Sequence, residues 1–194
     1  MDNSKHKNTN QCNMKTAIFL AKGFEEMEAV CAIDILRRAA VDVITVSISD
    51  KKQVEGAHNI TFIADALFEE IDFDDIEMVV LPGGMPGAAN LANHAQLCST
   101  ILDFADVDKR IAAICAAPSV VLGGLKLLKG KEAICYPGYE TGMRTELISD
   151  KTVVTDSIIT TAKGPGVAMQ FALELVKILK GEPVAQKIKN DLCL

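Results

Sequence analysis

The chain has 194 residues, 49% of them hydrophobic and 24% charged, which fits an ordinary globular protein and not a disordered or fibrous one. Its 26 acidic and 20 basic residues give a formal net charge of −6, with no long Lys/Arg run and no Trp. The basic footprint of a nucleic-acid-binding surface is therefore missing, and the charge reads as solubility. No apolar run approaches the roughly 20 residues that a membrane-spanning helix needs.

Residues 1–13 are polar and Asn-rich and lack the apolar stretch of a secretory signal, so a disordered extension is expected there. One domain is expected over residues 14–194, in the cytoplasm, large enough to need no disulfide or metal staple. Thr16–Leu20 is short and apolar, as in a strand buried on both faces. Glu25–Ala40 has helical spacing, with an acidic start and a basic end that both suit the helix dipole. Val41–Ile48 is β-branched and alternating, which predicts a strand. Weaker short strands are expected within 51–65, such as Ile60–Ala64. Glu77–Leu81 predicts a strand that stops at Pro82-Gly83-Gly84, and 88–105 predicts one helix. Arg110–Ile114 reads as a strand, with a helix over Pro118–Leu128 close behind Cys115. Ala133–Cys135, Thr152–Thr155 and Ser157–Ala162 predict further strands. Helices are expected over Val167–Leu179 and Pro183–Lys189.

This alternation predicts an α/β fold with an open, mostly parallel sheet and helices on both faces. The functional crevice of such folds lies outside the carboxyl ends of the strands. Three loops there follow a strand and precede a helix: Ala21–Glu28, Pro82–Gly87 and Cys115–Pro118.

Cys115 ends a strand of small and apolar residues just before a helix, the layout of a nucleophile elbow. Helix N-termini stabilise thiolates, with a pKa of roughly 3.5–7.5 at such sites. An inert strand-end cysteine has the same spacing. Gly83 and Gly84 directly after a strand let backbone N–H groups approach a reacting oxygen, and a plain turn fits equally. The glutamates of Gly23-Phe24-Glu25-Glu26-Met27-Glu28 complement a helix dipole, and one that faced Cys115 would also share its proton. The three histidines (His6, His58 and His94) all lie away from the Cys115 loop, and His94 falls on a polar part of a helix. A Cys-His hydrolase normally needs one there. Six cysteines stand at 12, 31, 98, 115, 135 and 193 without a C-x-x-C pair, which argues against structural zinc.

Ala21–Glu28, Leu81-Pro82-Gly83-Gly84, Ala112–Pro118 and Lys163-Gly164-Pro165-Gly166 together resemble the ThiJ/PfpI superfamily, nearest to the branch of the Parkinson-disease protein deglycase and its bacterial relatives. The resemblance implies a flavodoxin-like three-layer sandwich of the class I glutamine-amidotransferase type, and a homodimer. It implies Cys115 as nucleophile, Glu28 as its protonated partner, and Gly84 and Ala116 as backbone donors with Gly83 adjoining. Where several relatives carry a His before a Pro, this chain has Tyr136-Pro137. A family arginine lining the pocket is replaced near His58, which implies weaker, pH-dependent anion binding. Both residues are candidate pocket residues.

The activity implied is glyoxalase or deglycase chemistry on small reactive carbonyls (methylglyoxal to lactate) or early glycation adducts, with no metal or organic cofactor. Oxidative-stress sensing through the same thiol is the non-enzymatic alternative. A flavin-binding module is disfavoured by two Tyr, seven Phe and no phosphate loop.

Overall fold

The computed structural model describes residues 15–194; the expectations for residues 1–13 and Cys12 lie outside the described residues. The first strand, β1 (Lys15–Leu20), has Ala17, Ile18, Phe19 and Leu20 completely buried, as a central strand covered on both faces requires. Helix α1 (Glu26–Arg38) follows, capped by the Glu25 side chain, and returns the chain to β2 (Asp42–Ser47), parallel to β1. The region after β2 forms a separate antiparallel pair, β3 (Gln53–Glu55) with β4 (Thr61–Ile63), and then β5 (Ala66–Leu67), which joins the edge of β2. The pair is fastened to the loop after β1, where Gly23 N–H donates to Glu55 O and Ala57 N–H donates to Phe24 O, each at 2.8 Å.

β6 (Ile76–Leu81) pairs with the other side of β1, and β7 (Arg110–Ile114) pairs with β6. Between them lie α2 (Gly87–Asn93) and α3 (Ala95–Asp106). β8 (Val153–Asp156) and β9 (Ile159–Ala162) form a tight hairpin, with β9 parallel to β7 and β8 antiparallel at the edge. A four-residue α4 (Glu140–Met143) precedes them, and α5 (Ala168–Lys180) and α6 (Glu182–Asp191) end the chain. The seven-stranded sheet thus has the order β5-β2-β1-β6-β7-β9-β8, mostly parallel, as expected. α1 packs on α5 and α5 on α6, while α2 packs on β1 and α3 on β7. The strand order reverses between β1 and β6, which opens a crevice beyond their carboxyl ends. Among the described residues no helix is long and apolar enough to cross a membrane.

Three predicted elements differ from what forms. The single helix over 88–105 is two helices, because His94 adopts an extended backbone (ψ 97°) and its Nδ1 accepts the Leu97 N–H at 3.1 Å. His94 is therefore an N-cap and does not sit in a helix interior. The helix expected over Pro118–Leu128 is a π-helical turn over Pro118–Gly123 that then unwinds. It stops where Gly123 packs directly on the Gly142 backbone, too close for a side chain. Ala133–Cys135 forms no regular strand; one bridge joins Ala133 to Ile148.

Candidate active site

The loops after β1, β6 and β7 meet at one edge of the sheet, and Cys115 lies where they converge. Its N–H donates to Ala162 O at 2.9 Å, and its own carbonyl accepts the Tyr136 N–H at 2.7 Å. Held from both sides, Cys115 takes a left-handed backbone with φ +66°, uncommon for a residue with a side chain. It is 7% exposed. A Cβ on Gly83 would stand 2.6 Å from the Cys115 Cβ, so only glycine fits against Cys115.

Glu28 reaches this point from the first turn of α1 and is completely buried. Its Oε2 accepts the Gly83 N–H at 2.7 Å, while its Oε1 is buried with no conventional donor on it. Burial pushes the carboxyl up to about 7, against the lowering effect of the Gly83 N–H and the Cys115 thiol; the Glu25 charge raises it further. Burial also pushes the Cys115 thiol up to about 12, helped by the Glu28 carboxylate and opposed by the N–H groups of Gly84 and Ala116.

The structure thus brings carboxyl and thiol together as the sequence suggested, but a helix terminus does not depress the thiol. The helix behind Cys115 is short and opens on Pro118, which has no N–H to offer. Removal of water and a facing carboxylate outweigh the two donors that remain. With the carboxyl pushed up to about 7 and the thiol to about 12, the two groups hold two protons below pH 7 and share one between them above it. A thiolate exists to the extent that this proton sits on Glu28.

Of the three expected backbone donors, Gly84 and Ala116 turn their N–H groups toward the sulfur. The Gly83 N–H does not, because it is committed to Glu28. Tyr136 adjoins Cys115 through its backbone; its ring is half exposed, edge-on to Tyr139 at 6.3 Å and close over Gly164. His58 pairs with a carboxylate and not with the thiol. Its N–H donates to Glu26 Oε1 at 2.6 Å and its Nδ1 lies 2.8 Å from Glu26 Oε2, with the ring 69% exposed. These bonds hold the imidazole above its ordinary range. They lower Glu26 even though burial acts to raise it. With its charge matched by Glu26 and Glu25 Oε1 at 4.0 Å, His58 presents no free cation to an anionic ligand.

Glu25, Glu26 and His58 bring three possible metal-ligand atoms within 4.8 Å of one another, and the His58–Glu26 bonds already satisfy two of the three. Sequence reasoning took Glu25 only as dipole complement. In the structure its Oε2 caps α1 by accepting the Glu28 N–H at 2.7 Å. The available signal was positional: Glu25 stands three residues before Glu28, where an N-cap acceptor meets the N–H of the third helical residue.

A family model described as "DJ-1/PfpI family" matches residues 14–178. Protein DJ-1 homolog B of Arabidopsis thaliana is 36% identical over 93% of this chain, which covers 41% of that relative. The chain spans less than half the length of this and a second Arabidopsis relative. The glutathione-independent glyoxalase DJR-1.2 of Caenorhabditis elegans is 27% identical over 88% of this chain and 90% of its own. Among solved structures, that described as "Toxoplasma gondii DJ-1, oxidized" superposes with a TM-score of 0.90 at 34% identity, covering 93% of this chain and 98% of that one. With the sheet order, the elbow cysteine and its buried glutamate already in place, the match over 14–178 identifies the chain as a member of the DJ-1/PfpI family.

Proposed function

We propose that the protein is a cofactor-independent glyoxalase or deglycase-type enzyme acting on small reactive carbonyls, methylglyoxal foremost, and on early glycation adducts. The observation that carries this reading is the buried Glu28 carboxyl beside Cys115, with one oxygen held by Gly83 and the other left for a proton. The name of the C. elegans relative supports it.

The sulfur attacks the aldehyde carbon as its proton passes to Glu28, and the new oxyanion is met by the Gly84 and Ala116 N–H groups and protonated to a hemithioacetal. Glu28 then removes the C1 hydrogen and returns a proton to C2. C1 is thereby oxidised to a thioester and C2 reduced to a carbinol, with no external electron acceptor. Water cleaves the thioester, releasing lactate and the thiol. The test is methylglyoxal turnover followed as lactate formation. Cys115→Ala is expected to abolish it and Glu28→Gln to lower it at least about 100-fold; equal rates in all three proteins overturn the reading.

A second reading is oxidative-stress sensing, favoured by the relative solved in an oxidised form. Two equivalents of peroxide would each transfer one oxygen to the Cys115 sulfur and leave as water, giving a sulfinate. Intact-mass and peptide analysis after mild peroxide is expected to place two oxygens on Cys115. Oxidation of the exposed Cys193 in its stead counts against this reading.

A further inference from the structure

Three hydrogen bonds close a ring between the loop after β1 and the loop after β6. Glu25 Oε2 accepts the Glu28 N–H at 2.7 Å, Glu28 Oε2 accepts the Gly83 N–H at 2.7 Å, and Gly83 O accepts the Glu25 N–H at 3.0 Å. Glu25 supplies two of the six participating groups, one from its side chain and one from its backbone. The next peptide is held just as closely, since a Cβ on Gly84 would stand 2.5 Å from the Glu25 nitrogen. The N–H of Gly84 is one of the two that face the Cys115 sulfur.

We propose that Glu25 is a positioning residue of the active site: its side chain and backbone fix the Gly83–Gly84 segment and the Glu28 backbone to each other, so that the Glu28 carboxyl and the Gly84 N–H both face Cys115. This rests on the proposed carbonyl chemistry for its effect on turnover, though not for its effect on the thiol. An ordinary cap needs only a side-chain acceptor, which Asp, Asn or Ser provides. Glu25 adds a charge nine-tenths withdrawn from water beside a carboxyl that is itself buried. A neighbouring negative charge favours the protonated form of Glu28.

The groups facing this pair are Cys115 from the end of β7, the Gly83 N–H from the end of β6, Glu26 and Cys31 from α1, and His58 from the loop between β3 and β4. All of them are retained when only Glu25 is changed. Glu25→Gln keeps an acceptor for the Glu28 N–H and removes the charge. Glu25→Asp keeps both the charge and a capping oxygen. Glu25→Ala removes both.

The experiment reads Cys115 by its rate of alkylation with iodoacetamide against pH, alongside methylglyoxal turnover. Alkylation requires that the pair has lost its first proton, so the wild-type rate is expected to rise with a midpoint near pH 7. The Glu25→Gln midpoint is expected to fall, because the charge that favours protonated Glu28 is gone, and the Glu25→Asp midpoint to stay with the wild type. Turnover in Glu25→Ala is expected to drop about tenfold or more, with Glu25→Asp restoring it. Alkylation profiles and turnover in Glu25→Ala that match the wild type overturn the positioning role; should Glu25→Ala fail to fold, the same match in Glu25→Met, which fills the space without an acceptor for the Glu28 N–H, overturns it equally. A wild type inactive on methylglyoxal whose alkylation profile is altered in Glu25→Ala and restored in Glu25→Asp overturns the carbonyl chemistry and leaves the positioning role of Glu25 standing.

Discussion

Burial holds the Glu28 carboxyl protonated to about pH 7, against an ordinary glutamate value of 4.5. Between those limits the folded chain keeps a proton that the unfolded chain has lost, so stability falls as pH rises from 4.5 to 7 and this effect then levels off. The shift corresponds to roughly 3 kcal/mol. Glu28→Gln is expected to remove this slope and, above pH 7, to be more stable than the wild type while far less active. Urea unfolding of both proteins at a series of pH values reads the difference directly. His58 and Glu26 titrate alike in both and cancel. Parallel curves for the two proteins would refute the assignment. A group that lowers stability where it is ionised is a cost that the proposed proton transfer by Glu28 would explain. At this scale the sequence was informative about residue type: a cysteine at a strand end, glycines where a backbone must approach, a glutamate on an adjoining helix. It was silent on commitments such as the Gly83 N–H, which goes to Glu28 and not to a reacting oxygen.

Elements were legible wherever their hydrophobic pattern was long and matched one period. The strands β1, β6 and β7 form where apolar runs end at turn residues, and α5 forms where the apolar spacing continues for three turns. The break between α2 and α3 escaped this reading because His94 interrupts the helix without interrupting the apolar spacing. Its Nδ1 caps α3 while its ring packs on Phe68 with centroids 4.7 Å apart. His94→Ala is expected to lose the cap, about 1 kcal/mol, and the ring contact, about 0.5–1 kcal/mol more. His94→Asn is expected to keep the first and lose the second. Urea midpoints in the order wild type, Asn, Ala support this account; equal midpoints for Ala and wild type contradict it. The turn after Cys115 is shorter than its apolar spacing for a different reason. Pro118 and the Gly123–Gly124 pair shorten a segment whose apolar residues suggested a longer helix.

At the scale of the whole molecule, the outer face of α1 carries Met27 at 59% and Val30 at 47% exposure. Met27 borders a groove of about 620 Å³ between α1, α5 and α6, lined also by Met169, Leu173 and Leu194. We propose this face as the contact of a homodimer, the state that the family resemblance implies. Light scattering at micromolar concentration is expected to give twice the chain mass for the wild type and a single mass for Met27→Glu; a monomeric wild type would exclude the contact. The sequence by itself determined the α/β class, the strands and most helices, and which residues could carry chemistry, because hydrophobic period, turn residues and side-chain chemistry are local properties of the chain. Only the tertiary structure decided that β1, β6 and β7 lie side by side and so bring Glu28, Gly83 and Cys115 into contact. It also decided that both acidic groups are pushed up together and that His58 belongs to Glu26. Sheet order, burial and the partner of a charged group depend on residues dozens of positions apart, and no local pattern encodes the water that folding removes from between them.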